Sequence, residues 1–283
     1  VIIDVHSHNQ LPEHWGDEHR TNWEPAYGAP YPRVTPAEYD AAMAEAGIDV
    51  AIVFGLAATR VGVHTPNAYV ADYCAQLRTP TIPFTALDPQ DPDWREQLDD
   101  AIARGFRGVK LYPVLALFDP LAPEFDEFYR ICTRHGLVVL WHMGATPSPQ
   151  GRLSLSQPLL IEEVARRHPD LTQIMAHLGH PWQREAVIVL RKHPRVFADV
   201  SGSWARPMGG FFALVTAQEW GVVDKLLFGS DFPLWRPAEA IAGLRSLAEL
   251  RAGTLPHVRE ETVESIIHRD SLALLGLPDP RRS

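Results

Sequence analysis

Glu124-Phe125-Asp126-Glu127-Phe128-Tyr129-Arg130-Ile131-Cys132-Thr133-Arg134-His135-Gly136 reads as one helix closed by a glycine, and Leu137-Val138-Val139-Leu140-Trp141-His142 follows it at once. The second run is apolar at nearly every position, as a strand covered on both faces must be, and it ends on a histidine. Moving outward, the same unit recurs. Upstream stand the strand-like runs Gly108–Tyr112, Thr81–Ala86 and Val50–Phe54, separated by helix-like segments Trp94–Arg104 and Asn67–Leu77. Before them Thr35-Pro36-Ala37-Glu38 supplies an N-cap, a first-turn proline and a capping-box glutamate for a helix ending near Gly47. The chain opens on the β-branched run Val1-Ile2-Ile3-Asp4-Val5-His6-Ser7-His8-Asn9.

Downstream the alternation continues through Pro158–Arg167, Thr172–His177, Trp182–Lys192, Val196–Val200, Phe211–Trp220 and Lys225–Asp231. Two more helices, Pro237–Leu250 and Glu260–Leu275, finish it. Eight strand–helix units in this length predict an α/β fold, a distorted (β/α)₈ TIM barrel with an additional C-terminal helix, as a single domain over residues 1–283. A doubly wound open sheet is the rival, but no G-x-G-x-x-G follows an early strand. Residues 9–34, with Trp15, Trp23, Tyr27 and Tyr31, read as a long loop; its aromatic side chains either pack under it or form a lid over a pocket.

Composition narrows the partners. The 283 residues are 46% hydrophobic and 22% charged, with a net charge of −9 and no run of five basic residues. Neither nucleic acid nor an anionic membrane surface is expected to bind such a chain. No apolar span approaches the ~18 residues that cross a bilayer. No basic stretch precedes the apolar start, so it does not read as a signal peptide, and a cytoplasmic protein with a small-molecule substrate is expected. Homo-oligomerisation is left open. Cys74 and Cys132 fall on separate helix-like segments and read as core residues.

In a barrel of this kind the site lies at the C-terminal ends of the strands. There the sequence places His6 and His8, Lys110, His142, His177, Asp199 with Ser201, and Asp231. His6 and His8, two apart on a strand, project to one face. Imidazoles with a carboxylate suit zinc, and also manganese or iron, and such a site can activate a water. Each residue alone has a plain alternative: His142 as a core histidine, Asp199 as the cap of the following turn. Lys110 can be an ion pair, a substrate anchor or a carboxylated metal bridge.

As an ordered set, Ile3-Asp4-Val5-His6-Ser7-His8, Gly105–Pro113, Leu140-Trp141-His142-Met143-Gly144, Ala176-His177-Leu178-Gly179, Phe197–Gly202, Leu227–Pro233 and the closing Ser271–Leu277 resemble the amidohydrolase superfamily. The resemblance is to its amidohydrolase-related branch, which includes the aminocarboxymuconate semialdehyde decarboxylase-like proteins. It implies one divalent metal ion, Zn²⁺ first and Mn²⁺ second, held by His6, His8, His142 and Asp231. It places His177 beside the metal as an acid/base or substrate-orienting residue. Lys110, Trp15 and Tyr112 are expected to face substrate with His177. The chain departs from the family pattern at Asp270, usually asparagine, and at Met143, often smaller and polar; neither is a proposed ligand.

The expected activity is hydrolysis of a small carbonyl compound, carboxylated or cyclic, by a metal-activated water that Asp231 deprotonates. His177 would stabilise the oxyanion or protonate the leaving group. The rival is a metal-dependent non-oxidative decarboxylase (a lyase) acting on a small aromatic or unsaturated carboxylic acid. A catalytically silent ligand-binding barrel is a third reading.

Overall fold

The opening run forms strand β1, Ile3–His8, buried along its whole length. A computed structural model describes residues 1–251 and 253–282; the single-domain expectation over 1–283 also includes Ala252 and Ser283, which lie outside the described residues. β1 pairs in parallel with β2 (Val50–Phe54), Ile3 opposite Val50 and His8 opposite Phe54, with an irregularity between Asp4 and Ser7. β3 comes in two pieces. Thr81–Pro83 pairs with β2 and Thr85–Ala86 with β4 (Gly108–Leu111), while the Phe84 amide between them donates to the Val53 carbonyl at 2.9 Å.

β5 (Val138–Trp141), β6 (Gln173–Met175), β7 (Val196–Asp199) and β8 (Leu226–Leu227) follow as successive parallel neighbours. The ring closes back on β1. Val5 donates to the Phe228 carbonyl at 3.0 Å, Asp231 to that of His6 at 2.8 Å, and His8 to that of Phe232 at 2.7 Å. The chain is an α/β protein with a (β/α)₈ barrel, as the strand count predicts.

Ile3, Val5, Val50, Ile52, Phe54, Val138, Leu140, Ile174 and Leu227 belong to one apolar cluster, and Leu272 and Leu275 of the last helix join it. The alternate residues Ala51, Val53, Val139 and Met175 belong to the larger layer between strands and helices. That division is the period-two rule of a strand. β1 breaks it on purpose: Val5 lies inward, yet His6 and His8 also face the inward Phe54 ring, at centroid distances of 5.1 and 4.7 Å. The irregularity between Asp4 and Ser7 shifts the phase, as a bulge beside a site does.

The helices follow their local signals. α2 (Pro36–Ala46) opens with the Thr35/Glu38 capping box and ends at Gly47 with φ +69°, a value that favours glycine. α6 (Asp126–Arg134) buries Phe128, Tyr129, Ile131 and Cys132 at helical spacing, each worth roughly 1.5–3 kcal/mol of burial for a full-size side chain. Cys74 and Cys132 are free thiols. Among the described residues no helix is long and apolar enough to cross a membrane.

Four expectations need correction. Residues 9–34 are not all loop: Asp17–Tyr27 is helix α1, with Pro25 inside and no side-chain cap at Gly16, which is why the sequence hides it. Its Trp23 stacks edge-on to Trp15, and those contacts hold what propensity alone would not. The helix expected over Phe211–Trp220 is α9, Pro207–Glu219, with a first-turn proline. The helix expected over Pro237–Leu250 is α10, Pro237–Leu247, ending three residues early. Glu260–Leu275 is two helices, α11 (Glu260–Ile267) and α12 (Ser271–Leu275), because the Asp270 side chain caps the second by accepting from Ala273.

Candidate metal centre

Three side-chain atoms meet at the top of the barrel where β1 and the segment after β8 lie side by side. His6 Nε2 is 3.3 Å from His8 Nε2 and 3.3 Å from Asp231 Oδ1, and His8 Nε2 is 3.2 Å from Asp231 Oδ1. Four ligands placed tetrahedrally about 2.0–2.1 Å from a zinc ion would stand about 3.3 Å apart. The triangle therefore has the edge length of one face of such a tetrahedron, and the donor set fits a divalent ion. Asp231 adopts φ +62°, uncommon for a residue with a side chain, and the hydrogen bond its amide donates to the His6 carbonyl holds it there. Gly229 permits the approach: a Cβ there would lie 2.8 Å from that of His6.

Behind the triangle, Asp199 fixes His6. Its Oδ2 lies 2.9 Å from His6 Nδ1, and its Oδ1 accepts from the amides of His177 (3.1 Å) and Ser201 (3.0 Å) and from the Ser201 hydroxyl. A carboxylate can only accept, so His6 Nδ1 carries the proton and Nε2 presents its lone pair to the triangle. Asp4 braces the same strand from the other side, accepting from the Ser230 amide (3.0 Å) and hydroxyl and from the His6 amide (3.0 Å). Burial nevertheless raises its pKa to about 6.

The protonation states suit metal binding. Burial lowers His8 and His177 to about 4 and His142 well below the usual range, leaving them neutral. Burial would raise Asp231, but the His6 and His8 imidazoles outweigh it and keep the carboxylate ionised. His6 differs: burial opposes its protonation, yet the Asp199 and Asp231 carboxylates raise its pKa. A cation in the triangle competes with that proton.

The other expected residues are placed as follows. His142 stands just past β5, outside the triangle; its Nε2 is 3.1 Å from the Ala145 carbonyl, so Nδ1 is the lone pair it has to offer. Its ring lies 4.1 Å from Tyr112 and 5.3 Å from His177 between centroids. His177 follows β6 at φ +56°. Lys110 on β4 is buried, with its Nζ 5.0 Å over the Phe54 ring and without a hydrogen-bond partner among the described residues; burial lowers its pKa to about 8. A cavity of about 290 Å³ is lined by His8, His142, His177, Asp231, Trp15 and Tyr112 among others, and Lys110 is not among its lining residues.

Sequence reasoning passed over several wall residues. Arg206 and Trp235, in the loops after β7 and β8, line the cavity; so do Tyr27, the last residue of α1, and Tyr31 after it, aromatic residues that the lid alternative already names. The available signal was position, since those loops leave the C-terminal ends of strands. Asp199 does cap the turn to Ser201, the plain alternative weighed for it, and it also holds His6, a role the sequence did not show.

Comparison with known proteins agrees with the fold. No curated protein matches the chain. Among solved structures it is similar to a probable 2-pyrone-4,6-dicarboxylic acid hydrolase from Acinetobacter baumannii with citric acid bound (16% identity, 98% of this chain and 99% of that one, TM-score 0.69). An amidohydrolase from Burkholderia multivorans with bound zinc is similar too (15%, 98% and 100%, 0.67). So is 2,6-dihydroxybenzoate decarboxylase from Rhizobium (18%, 97% and 98%, 0.65). The family model described as amidohydrolase matches residues 3–277, and the chain belongs to the amidohydrolase family.

Proposed function

We propose that this protein is a metal-dependent hydrolase of a small, carboxylated or cyclic carbonyl compound. The observation that carries it is the triangle of His6 Nε2, His8 Nε2 and Asp231 Oδ1, with edges of 3.2–3.3 Å, opening on a cavity of about 290 Å³. His6, His8 and Asp231 would hold one divalent ion, zinc first and manganese second, with His142 a further ligand through Nδ1. Such an ion supplies Lewis acidity, polarising a carbonyl and lowering a water's pKa from ~15.7 toward neutrality.

The chain's own groups do the rest. Asp231, ionised and itself a corner of the triangle, accepts a proton from the attacking water. His177, on the cavity wall, handles the proton of the leaving group. The volume, at the low end for ligand pockets, restricts the substrate to a small molecule, and Trp15, Tyr27, Tyr31, Tyr112 and Trp235 make its wall rich in aromatic side chains. Arg206 is exposed and lines the same cavity; its guanidinium makes no hydrogen bond or ion pair among the described residues and is free to pair with a substrate carboxylate. Lys110, buried off the wall, adds positive potential without touching the substrate.

Arg206 and the aromatic walls also favour a second reading, decarboxylation of a small aromatic acid. A screen of lactones, amides and aromatic carboxylates in isotopically labelled water separates the two. Incorporation of the label into product without carbon dioxide release supports hydrolysis; carbon dioxide release without incorporation overturns it in favour of the lyase.

A further inference from the structure

The hydrogen bonds behind the triangle allow the proton on His177 to be located. His177 Nδ1 has two neighbours, the Ser201 hydroxyl at 2.8 Å and the Ser201 carbonyl at 3.4 Å. The carbonyl can only accept. The hydroxyl can give or accept, so its own proton decides. That oxygen is in hydrogen-bond contact with Asp199 Oδ1, which already accepts from the backbone amides of His177 and Ser201. An oxygen receiving two amide protons is itself an acceptor toward the hydroxyl, so the Ser201 proton goes to Asp199. His6 Nδ1, 3.5 Å from the same hydroxyl, spends its proton on Asp199 Oδ2 at 2.9 Å. What remains on Ser201 Oγ is a lone pair, and it faces His177 Nδ1.

We propose that Ser201 is a positioning residue which, with Asp199 behind it, fixes His177 as the Nδ1–H tautomer, so that Nε2 enters the cavity as a bare proton acceptor. Ser201 is fully buried, and His177 Nε2 has no hydrogen-bond partner among the described residues. The inference rests on the proposed function for its chemical meaning and changes the order of events there. A bare Nε2 cannot donate to an oxyanion. His177 must first receive the proton that Asp231 took from the attacking water, across the cavity both residues line, and only then pass that same proton to the leaving group; the imidazolium formed between is stabilised through Ser201 by the Asp199 carboxylate. No proton is gained or lost over the cycle.

The test is nitrogen NMR of the protein carrying isotopically labelled histidine, recorded with and without added zinc. His177 is assigned by the signal missing from His177→Gln. The expected result is a proton bonded to Nδ1 and a bare Nε2. In Ser201→Ala the proton should redistribute toward Nε2, and Ser201→Thr, which keeps the hydroxyl, should restore the original pattern. With a turned-over substrate, Ser201→Ala should lose about tenfold in kcat with KM little changed, within the range of a single acid–base effect. A proton found on Nε2 in the unaltered protein overturns the proposal, as does a spectrum that Ser201→Ala leaves unmoved. Either result leaves the metal-dependent hydrolase reading standing, whereas failure to bind zinc sinks that reading and leaves the tautomer to be read from the same spectrum.

Discussion

β7 and the segment after β8 each deliver an aspartate to the same few ångströms, and the two carboxylates have opposite fates. Asp199 accepts from His6, from two backbone amides and from a hydroxyl, so its lone pairs are committed within the protein. Asp231 directs Oδ1 at the Nε2 atoms of His6 and His8, and the His6 nitrogen meets it with a lone pair, an arrangement suited to a shared cation or proton. The lesson is that a strand-end carboxylate acts as support when its partners are donors and as chemistry when its partners are acceptors.

Breaking the second carboxylate should cost most. Asp231→Asn is expected to lower kcat/KM by about 10³-fold, removing the proton acceptor and a ligand together. Removing metal with a chelator should have the same consequence in the unaltered protein, and zinc should restore activity. Full activity in Asp231→Asn, or in the stripped protein, would dissolve the distinction between the two aspartates.

Breaking the first should cost less and show elsewhere. Asp199→Asn leaves the triangle intact but loosens His6, so zinc affinity should fall about 10–100-fold in competition with a chromophoric chelator. A change as large as that of Asp231→Asn would mean that Asp199 is itself a ligand. Arg206→Met touches neither aspartate. It should raise KM for a carboxylated substrate about tenfold, the loss of one charge-assisted contact, with zinc binding unaltered.

A third carboxylate sharpens the supporting role away from any site. Asp40 accepts from the amides of Arg78 and Thr79 and from the Thr79 hydroxyl, between 2.7 and 3.1 Å. Burial would raise its pKa, but those donors outweigh it and lower it. A carboxylate depressed on folding contributes stability that is present above its unfolded value of ~3.9 and is lost as pH falls through the folded one. Asp40→Ala should therefore cost about 1–3 kcal/mol in urea unfolding at neutral pH, less in acid once the carboxyl is protonated in the folded protein, and nothing in zinc affinity. A stability loss that persists undiminished in acid would refute the assignment.

How much of this could be read from the chain depends on whether a feature is local. Apolar strands, caps such as Thr35 and the histidines at strand ends are local, and the barrel follows from them. The inward turn of His6 and His8 is not, because it needs a bulge that only the pairing with β2 reveals. α1 is held by ring contacts among Trp15, Trp23 and Tyr31 rather than by propensity, so it looked like loop. The roles of Asp199 and Ser201 depend on where His6 and His177 point after folding, and the burial of Lys110 with its Nζ over the Phe54 ring is likewise set by the assembled barrel.

The central claim is that His6, His8 and Asp231 bind a metal ion. Zinc per chain, measured after equilibration and gel filtration, tests it most directly when the unaltered protein is compared with His6→Ala/His8→Ala. The account predicts one equivalent in the first and none in the second, with both proteins folded by circular dichroism. Equal zinc in the two would contradict it.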